Sequence, residues 1–272
     1  MKARLRPLLA PLLRLLVLLL VAVLALQLYF VARIALMAVL APESTAFERS
    51  EIYRVTRTTG TLKWRQQWVP YERISVNLQR AVIASEDASF TEHDGLDLEA
   101  LEKAWEKNAA AEARAKKAAD RLAAQAARQG KKTSAAAPAS PAAAKAAQPA
   151  KIVGGSTITQ QLAKNLFLSG ERTLLRKGEE LVLTLLLESM LSKQRILEIY
   201  LNSVEWGEGV FGAEAAAQHY FRKPASRLSP YEAARLAVML PRPRYFETRP
   251  NSDYLASRAN VIVARMGSVD VP

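Results

Sequence analysis

Residues 15–32, LLVLLLVAVLALQLYFVA, run for eighteen positions without a charge, and Gln27 is their one strongly polar side chain. At the rise of an α-helix, such a run is long enough to cross the hydrocarbon core of a bilayer once. The apolar character resumes after Arg33 as far as about Leu40, which predicts a membrane-spanning helix over residues 15–40. Lys2, Arg4, Arg6 and Arg14 precede the run. By the positive-inside rule, residues 1–14 are then expected as a cytoplasmic basic tail and residues 41–272 on the far side. A cleaved signal peptide is the alternative, but the run is too long for one and lacks a clear small-x-small cleavage site.

About 230 residues follow this segment, enough for one sizeable domain or two small lobes. The chain has no cysteine, which excludes disulfides, a thiol nucleophile and thiolate metal sites without identifying the compartment. The two histidines, His93 and His219, argue against a histidine-rich metal centre. The formal net charge of +12 is unevenly spread. Residues 1–40 carry five basic and no acidic side chains, and residues 107–151 carry ten basic and two acidic ones, so the remainder is close to neutral. A nucleic-acid-binding domain places its basic patch on the folded face, so this distribution argues against nucleic acid as the main ligand.

Residues 42–72 mix polar and β-branched types and predict a short strand or extended linker, with a hairpin near Thr59 and Gly60. Residues 75–85 show apolar positions at helical spacing behind a capping Ser75, and predict a helix ending just before Glu86. Residues 107–151 are alanine-rich with scattered Lys, Arg and Gln, and read as a flexible insertion. The stretch to about Arg128 favours helix, whereas residues 130–149, with three prolines, read as linker. The insertion either has no role or rests on anionic lipid headgroups. From Thr157 onward the chain predicts helices over residues 174–191 (buried), 192–202, 213–221, 229–240 and 253–266, with a turn at residues 207–212 and no strong strand pattern. Ser229, Pro230 and Glu232 form a clear helix start. The fold class is mainly α.

Three places could carry chemistry. Glu86 and Asp87 end the first predicted helix; adjacent carboxylates point different ways, so at most one faces a ligand. Phe90 could wall it and raise its pKa for proton transfer. A solvated helix terminus explains the same residues. Glu180, preceded by Arg172, Arg176 and Lys177, stands at the mouth of an apolar helix and suits a polyanion site, or merely complements the helix dipole. Residues 154–165, GGSTITQQLAKN, allow close backbone approach at Gly154 and Gly155. Thr157 and Gln160 form a capping box, free amides there favour an anion, and Gln160, Gln161 and Lys164 share a face. A well-capped polar helix is the plainer reading.

Four ordered motifs make the chain resemble the monofunctional biosynthetic peptidoglycan transglycosylases, bacterial peptidoglycan glycosyltransferases of family 51. They are Glu86-Asp87-x-x-Phe90-x-x-His93-x-Gly95, Gly155-Ser156-Thr157-Ile158-Thr159-Gln160-Gln161-Leu162-x-Lys164-Asn165, Arg176-Lys177-x-x-Glu180, and Lys193-x-x-Ile196-Leu197-Glu198-x-Tyr200-Leu201-Asn202. The resemblance implies a lysozyme-like, two-lobed fold with a head and a membrane-apposed jaw. It implies polymerisation of lipid II into β-1,4-linked glycan strands, with inversion and release of undecaprenyl pyrophosphate. It makes Glu86 the general base and Glu180 the second carboxylate, on the donor and leaving-group side. Ser156, Thr157, Gln160, Gln161, Lys164, Asn165, Arg172, Arg176, Lys177 and Lys103 become substrate- and diphosphate-binding candidates, with Lys177 the weaker because it could point away. Expected partners are lipid II, the growing lipid-linked chain, the membrane, and cell-wall synthase or divisome proteins. The expected location is the bacterial inner membrane with the catalytic domain periplasmic. No cofactor is required; a divalent cation, Mg or Mn, on the diphosphate is compatible with the family, though no ligand set demands it.

Two departures stand out. The first and second motifs lie farther apart than the family pattern leads one to expect, and Lys103 replaces an arginine common in relatives, which removes bidentate phosphate binding there. No serine is followed three residues later by lysine, so the nucleophile motif of a penicillin-binding transpeptidase is absent. A glycan-cleaving enzyme on the same fold would not need the cations around Glu180, and a binding scaffold would not need both glutamates.

Overall fold

The computed structural model describes residues 6–128, 155–168 and 173–272. The predicted linker over residues 130–149 and the candidate Arg172 lie outside the described residues. The chain divides into two compact units, one made of residues 1–96 with 157–272 and the other of residues 97–156. Secondary structure is predominantly helical, as the sequence predicts.

In the larger unit, α1 (Arg6–Met37) contains an apolar segment, Ala10–Met37, long enough to cross a membrane. Most of it faces outward, but Phe30, Ile34 and Met37, at helical spacing, are buried in the core. Phe30 meets Phe167 edge-on at 5.3 Å, and the Arg195 guanidinium donates to the carbonyls of Met37 and Leu40, both at 2.7 Å. The anchor is therefore packed onto the folded body at one end.

α2 (Ala46–Thr59) replaces the expected strand and hairpin. A capping box between Thr45 and Glu48 starts it, and Gly60, in the left-handed region at φ 67°, ends it. Its polar sequence hides the reason it folds: Glu48 and Glu51 are buried, Glu48 accepts from Gln66, and Glu51 pairs with Arg54 and Arg244. Extended structure in this region shrinks to β1 (Arg65–Gln66). β1 runs parallel to β3 (Val210–Phe211), which pairs antiparallel with β2 (Glu205–Gly207). The sequence predicts only a turn here; the strands are too short to show alternation.

α3 (Val76–Glu86) has Ser75 as its cap and Glu86 as its last residue. It packs against α9 (Pro230–Met239), which in turn packs on α11 (Asp253–Arg265). The Ser229–Glu232 capping box and Pro230 open α9 as expected. A short helix absent from the prediction, α10 (Pro243–Glu247), follows. α5 (Ile158–Phe167) buries Ile158, Leu162, Ala163 and Leu166 against α6 (Leu174–Met190) and α7 (Lys193–Ser203). α6 is not buried all round: Leu183 and Leu187 are in the core, but Leu175, Leu181, Val182 and Leu185 are exposed. α8 (Ala213–Phe221) completes this unit.

In the smaller unit, α4 (Leu98–Arg128) is one helix that begins nine residues before the predicted insertion boundary at 107 and continues through its alanine-rich first part. Gly155 lacks a side chain where a Cβ would stand 3.2 Å from the Leu101 backbone and 3.3 Å from Ala104. Its smallness serves packing on α4.

Candidate active site

The end of α3, the start of α5 and the middle of α7 meet around Glu86. Asp87, next to Glu86, is almost wholly buried, and its carboxylate has two tasks. Oδ2 accepts from the Ile158 amide at 2.9 Å, and Oδ1 accepts from His93 Nε2 at 2.8 Å. His93 Nδ1 accepts from the Gly95 amide at 3.1 Å, a geometry that holds the imidazole neutral with its proton on Nε2. The Thr157 hydroxyl donates to the Gly95 carbonyl at 2.7 Å and accepts from the Gln160 amide, while Gln160 Oε1 accepts from the Thr157 amide. Residues 87–95 and the first turn of α5 are thereby locked together.

This corrects one expectation. The start of α5 was expected to offer free amides to an anion, but Asp87, Thr157 and Gln160 already occupy the amides of Ile158, Gln160 and Thr157. Asp87, His93, Thr157 and Gln160 are builders of the site. Phe90 is fully buried, lies edge-on to His93, and has the Lys193 ammonium 4.7 Å above its ring. Lys193 also donates to the His93 carbonyl and to Glu188, which accepts from Thr159 at 2.5 Å.

Glu86, freed from capping by its neighbour, accepts from Gln161 Nε2 at 3.1 Å and from the Ser85 hydroxyl at 3.3 Å. Burial pushes its carboxyl above the usual range; Gln161 and Ser85 oppose that shift, the Asp87 charge adds to it and the Arg258 charge opposes it. Gln161 is held in turn: its Oε1 accepts from the Tyr200 hydroxyl at 2.9 Å. Tyr200 is fully buried, and burial together with the Glu86 and Asp87 charges pushes its pKa up, so it stays a donor. Tyr200 lies inside the fourth motif without having been singled out, because in the sequence it reads as a core aromatic. Arg258, on α11, was also missed, and no short-range pattern marks it.

Glu180 is 4% exposed on α6. Lys177 donates to its Oε1, so this lysine points toward the carboxylate and not away, and Arg176 Nη1 stands 3.6 Å from Oε2. The Arg176 Nε is buried without a hydrogen-bond partner. Two cations face this one carboxylate, so a surplus of positive charge is available to an anion. Lys164 is exposed and Asn165 half-buried on α5. Ser156 is exposed, and Lys103 pairs with Glu99 at 2.5 Å along α4; both belong to the smaller unit. Both oxygens of Glu180 are engaged by cations and both of Glu86 by hydrogen-bond donors, so neither carboxylate offers a ready protein cage for a divalent ion.

Known proteins resemble this chain over most of its length. A family model described as "Transglycosylase" matches residues 53–137 and 135–267. A protein of Burkholderia thailandensis named biosynthetic peptidoglycan transglycosylase is 50% identical over 249 residues, which cover 92% of this chain and 83% of that protein. Proteins of the same name from Burkholderia orbicola and Burkholderia pseudomallei are 49% and 48% identical over the same share of this chain, covering 86% and 83% of their own lengths.

Proposed function

The chain belongs to the transglycosylase family, with its lysozyme-like all-α fold, and from that premise we propose that it is a membrane-anchored peptidoglycan glycosyltransferase that polymerises lipid II. The observation that carries the reading is the half-buried Glu86 carboxyl, raised in pKa and oriented by Gln161. The attacking 4-hydroxyl of the acceptor sugar is a weak nucleophile at neutral pH and needs a positioned base. Glu86 takes that proton as the oxygen bonds to C1 of the donor from the face opposite the leaving group. The C1–O bond to the lipid diphosphate breaks, its electron pair leaves with the diphosphate, and configuration inverts.

Negative charge grows on the leaving diphosphate, where fixed cations lower the barrier. Arg176, Lys177 and Lys164, with Arg172, are the groups proposed to receive it, and Glu180 holds the first two in place. Ser156, Thr157, Gln160, Asn165 and Lys103 are proposed to line the remaining substrate path, Thr157 and Gln160 by shaping it. A divalent cation would sit on the substrate's own diphosphate oxygens. The apolar helix α1 is proposed to cross the inner membrane once, with the catalytic residues on the periplasmic side. Synthase or divisome proteins are the partners such a position suggests.

The test is the full chain in detergent micelles with purified lipid II, with products separated by size. Glycan polymer from the wild type, and at least a 100-fold loss in Glu86→Gln with lipid II binding retained, is expected. Absence of polymer from the wild type across detergents and with or without Mg, or degradation of finished glycan, would overturn the reading.

A further inference from the structure

Arg33 is the one charge within the apolar segment Ala10–Met37 apart from Arg14 at its other end. Nineteen residues separate the two, about 28 Å along a helix, against a hydrocarbon thickness of about 30 Å. The two arginines therefore mark the two headgroup layers when α1 spans a bilayer. Burial of α1 against the folded body begins at the same level, with Phe30 and Ile34.

Among the described residues Arg33 forms no ion pair. Its Nη1 donates to the Tyr29 hydroxyl at 3.1 Å, and its guanidinium lies 5.9 Å from the Tyr29 ring and 6.0 Å from the Phe167 ring. It lines an open cleft of about 630 Å³ together with Tyr29, Leu36, Leu40, Glu43 and Arg49. Arg49 comes from α2 and donates to the carbonyl and hydroxyl of Ser44, both at 3.0 Å. It lies near enough to the buried Glu48 to favour that group's charge, but among the described residues neither arginine forms an ion pair. Glu43, exposed, is the cleft's own acid. Leu36, Val39 and Leu40 are exposed around the cleft, an arrangement that suits contact with lipid and is unfavourable in water.

We propose that this cleft binds the phosphate of an anionic phospholipid in the headgroup layer around the anchor. Two guanidiniums and a phenol supply the forked donors that a phosphate diester needs, and the leucines receive the glycerol and first methylenes. A cation at the edge of a membrane span settles in the headgroup layer, where a lipid phosphate can pair it. The site is separate from the residues assigned to chemistry. It rests on the proposed bilayer crossing of α1 and not on the reaction.

The test is native mass spectrometry of the full chain released from micelles containing equal phosphatidylglycerol and phosphatidylcholine. The wild type is expected to retain phosphatidylglycerol about tenfold over phosphatidylcholine, and Arg33→Gln/Arg49→Gln to lose that preference. Arg49→Gln alone, at an exposed side chain, is expected to lose about threefold and guards against misfolding of the double variant. Arg14→Gln is expected to leave the preference intact. Equal retention of the two lipids by the wild type, or an unchanged preference in the double and Arg49→Gln variants, would overturn the proposal. Alkaline extraction of membranes is the companion measurement: release of the wild-type protein would instead sink the bilayer crossing itself.

Discussion

At the scale of single residues, the candidate base is governed by a side chain that touches no reactant. Tyr200 holds Gln161 Oε1, which turns Gln161 Nε2 toward Glu86. Gln161 favours the ionised form of Glu86, the form a base requires. Tyr200→Phe keeps the buried ring and removes one hydroxyl. The expected result is a fall in kcat of about fivefold, the worth of one hydrogen bond of about 1 kcal/mol. KM should change little. Activity falls as pH drops through the raised Glu86 pKa, because the protonated acid cannot accept the hydroxyl's proton. With Gln161 loosened, that acid limb of the pH–rate profile should move to higher pH. A merely structural role for Tyr200 would lower activity at all pH values and leave the limb where it is.

At the scale of elements, the clamp between residues 87–95 and α5 fixes where the second motif sits. Gly95 is at φ 84°, and a Cβ there would lie 2.7 Å from Thr184 Cγ2 and 2.8 Å from Glu188 Cγ. Gly95→Ala thus combines backbone strain with a collision against α6, and should destabilise the fold by about 2–4 kcal/mol in denaturant unfolding. Gly60→Ala, at φ 67° with nothing within 4 Å, carries the strain alone and should cost about 1 kcal/mol. Equal losses in both would mean that the contact with α6 does not matter. The same contrast explains what could be read from the chain. α3, α5 and α9 were legible because Ser75, Thr157–Gln160 and Ser229–Glu232 start them with local signals. α2 was not, since what stabilises it comes from Gln66 and Arg244, distant in sequence. Glu86 and Gln161 were legible by residue type and motif. The occupied amide of Ile158 was not, because its acceptor, Asp87, lies 71 positions earlier.

At the scale of the whole molecule, a partly buried charge network joins the helix that follows the anchor to the small sheet. Arg244 of α10 bonds both Glu51 of α2 and Glu205 of β2, and Arg54 bonds Glu51 and Glu208. Burial pushes the Glu205 carboxyl up to about 7, with Arg244 opposing it, first by charge and then by hydrogen bond, and with the Glu51 charge adding to it. An acid with a raised pKa in the fold binds its proton there more tightly than in the unfolded chain. Between the ordinary value near 4.5 and about 7 the native state therefore holds more protons, and stability falls as pH rises through that window. Glu48 and Glu86 are raised in the same direction. Unfolding measured at pH 5 and pH 8 should show the wild type losing stability with rising pH. Glu205→Gln should remove about 2 kcal/mol of that loss. At pH 5, where the native acid is protonated and resembles the amide, the variant should match the wild type to within about 1 kcal/mol. At pH 8 the wild type pays for an ionised carboxylate in a buried place, so the gap between the two should close or reverse. An identical pH slope in both proteins would mean that Glu205 is ionised in the fold at neutral pH, fully neutralised by Arg244, and that the network is a fixed ion pair with no titration in this range.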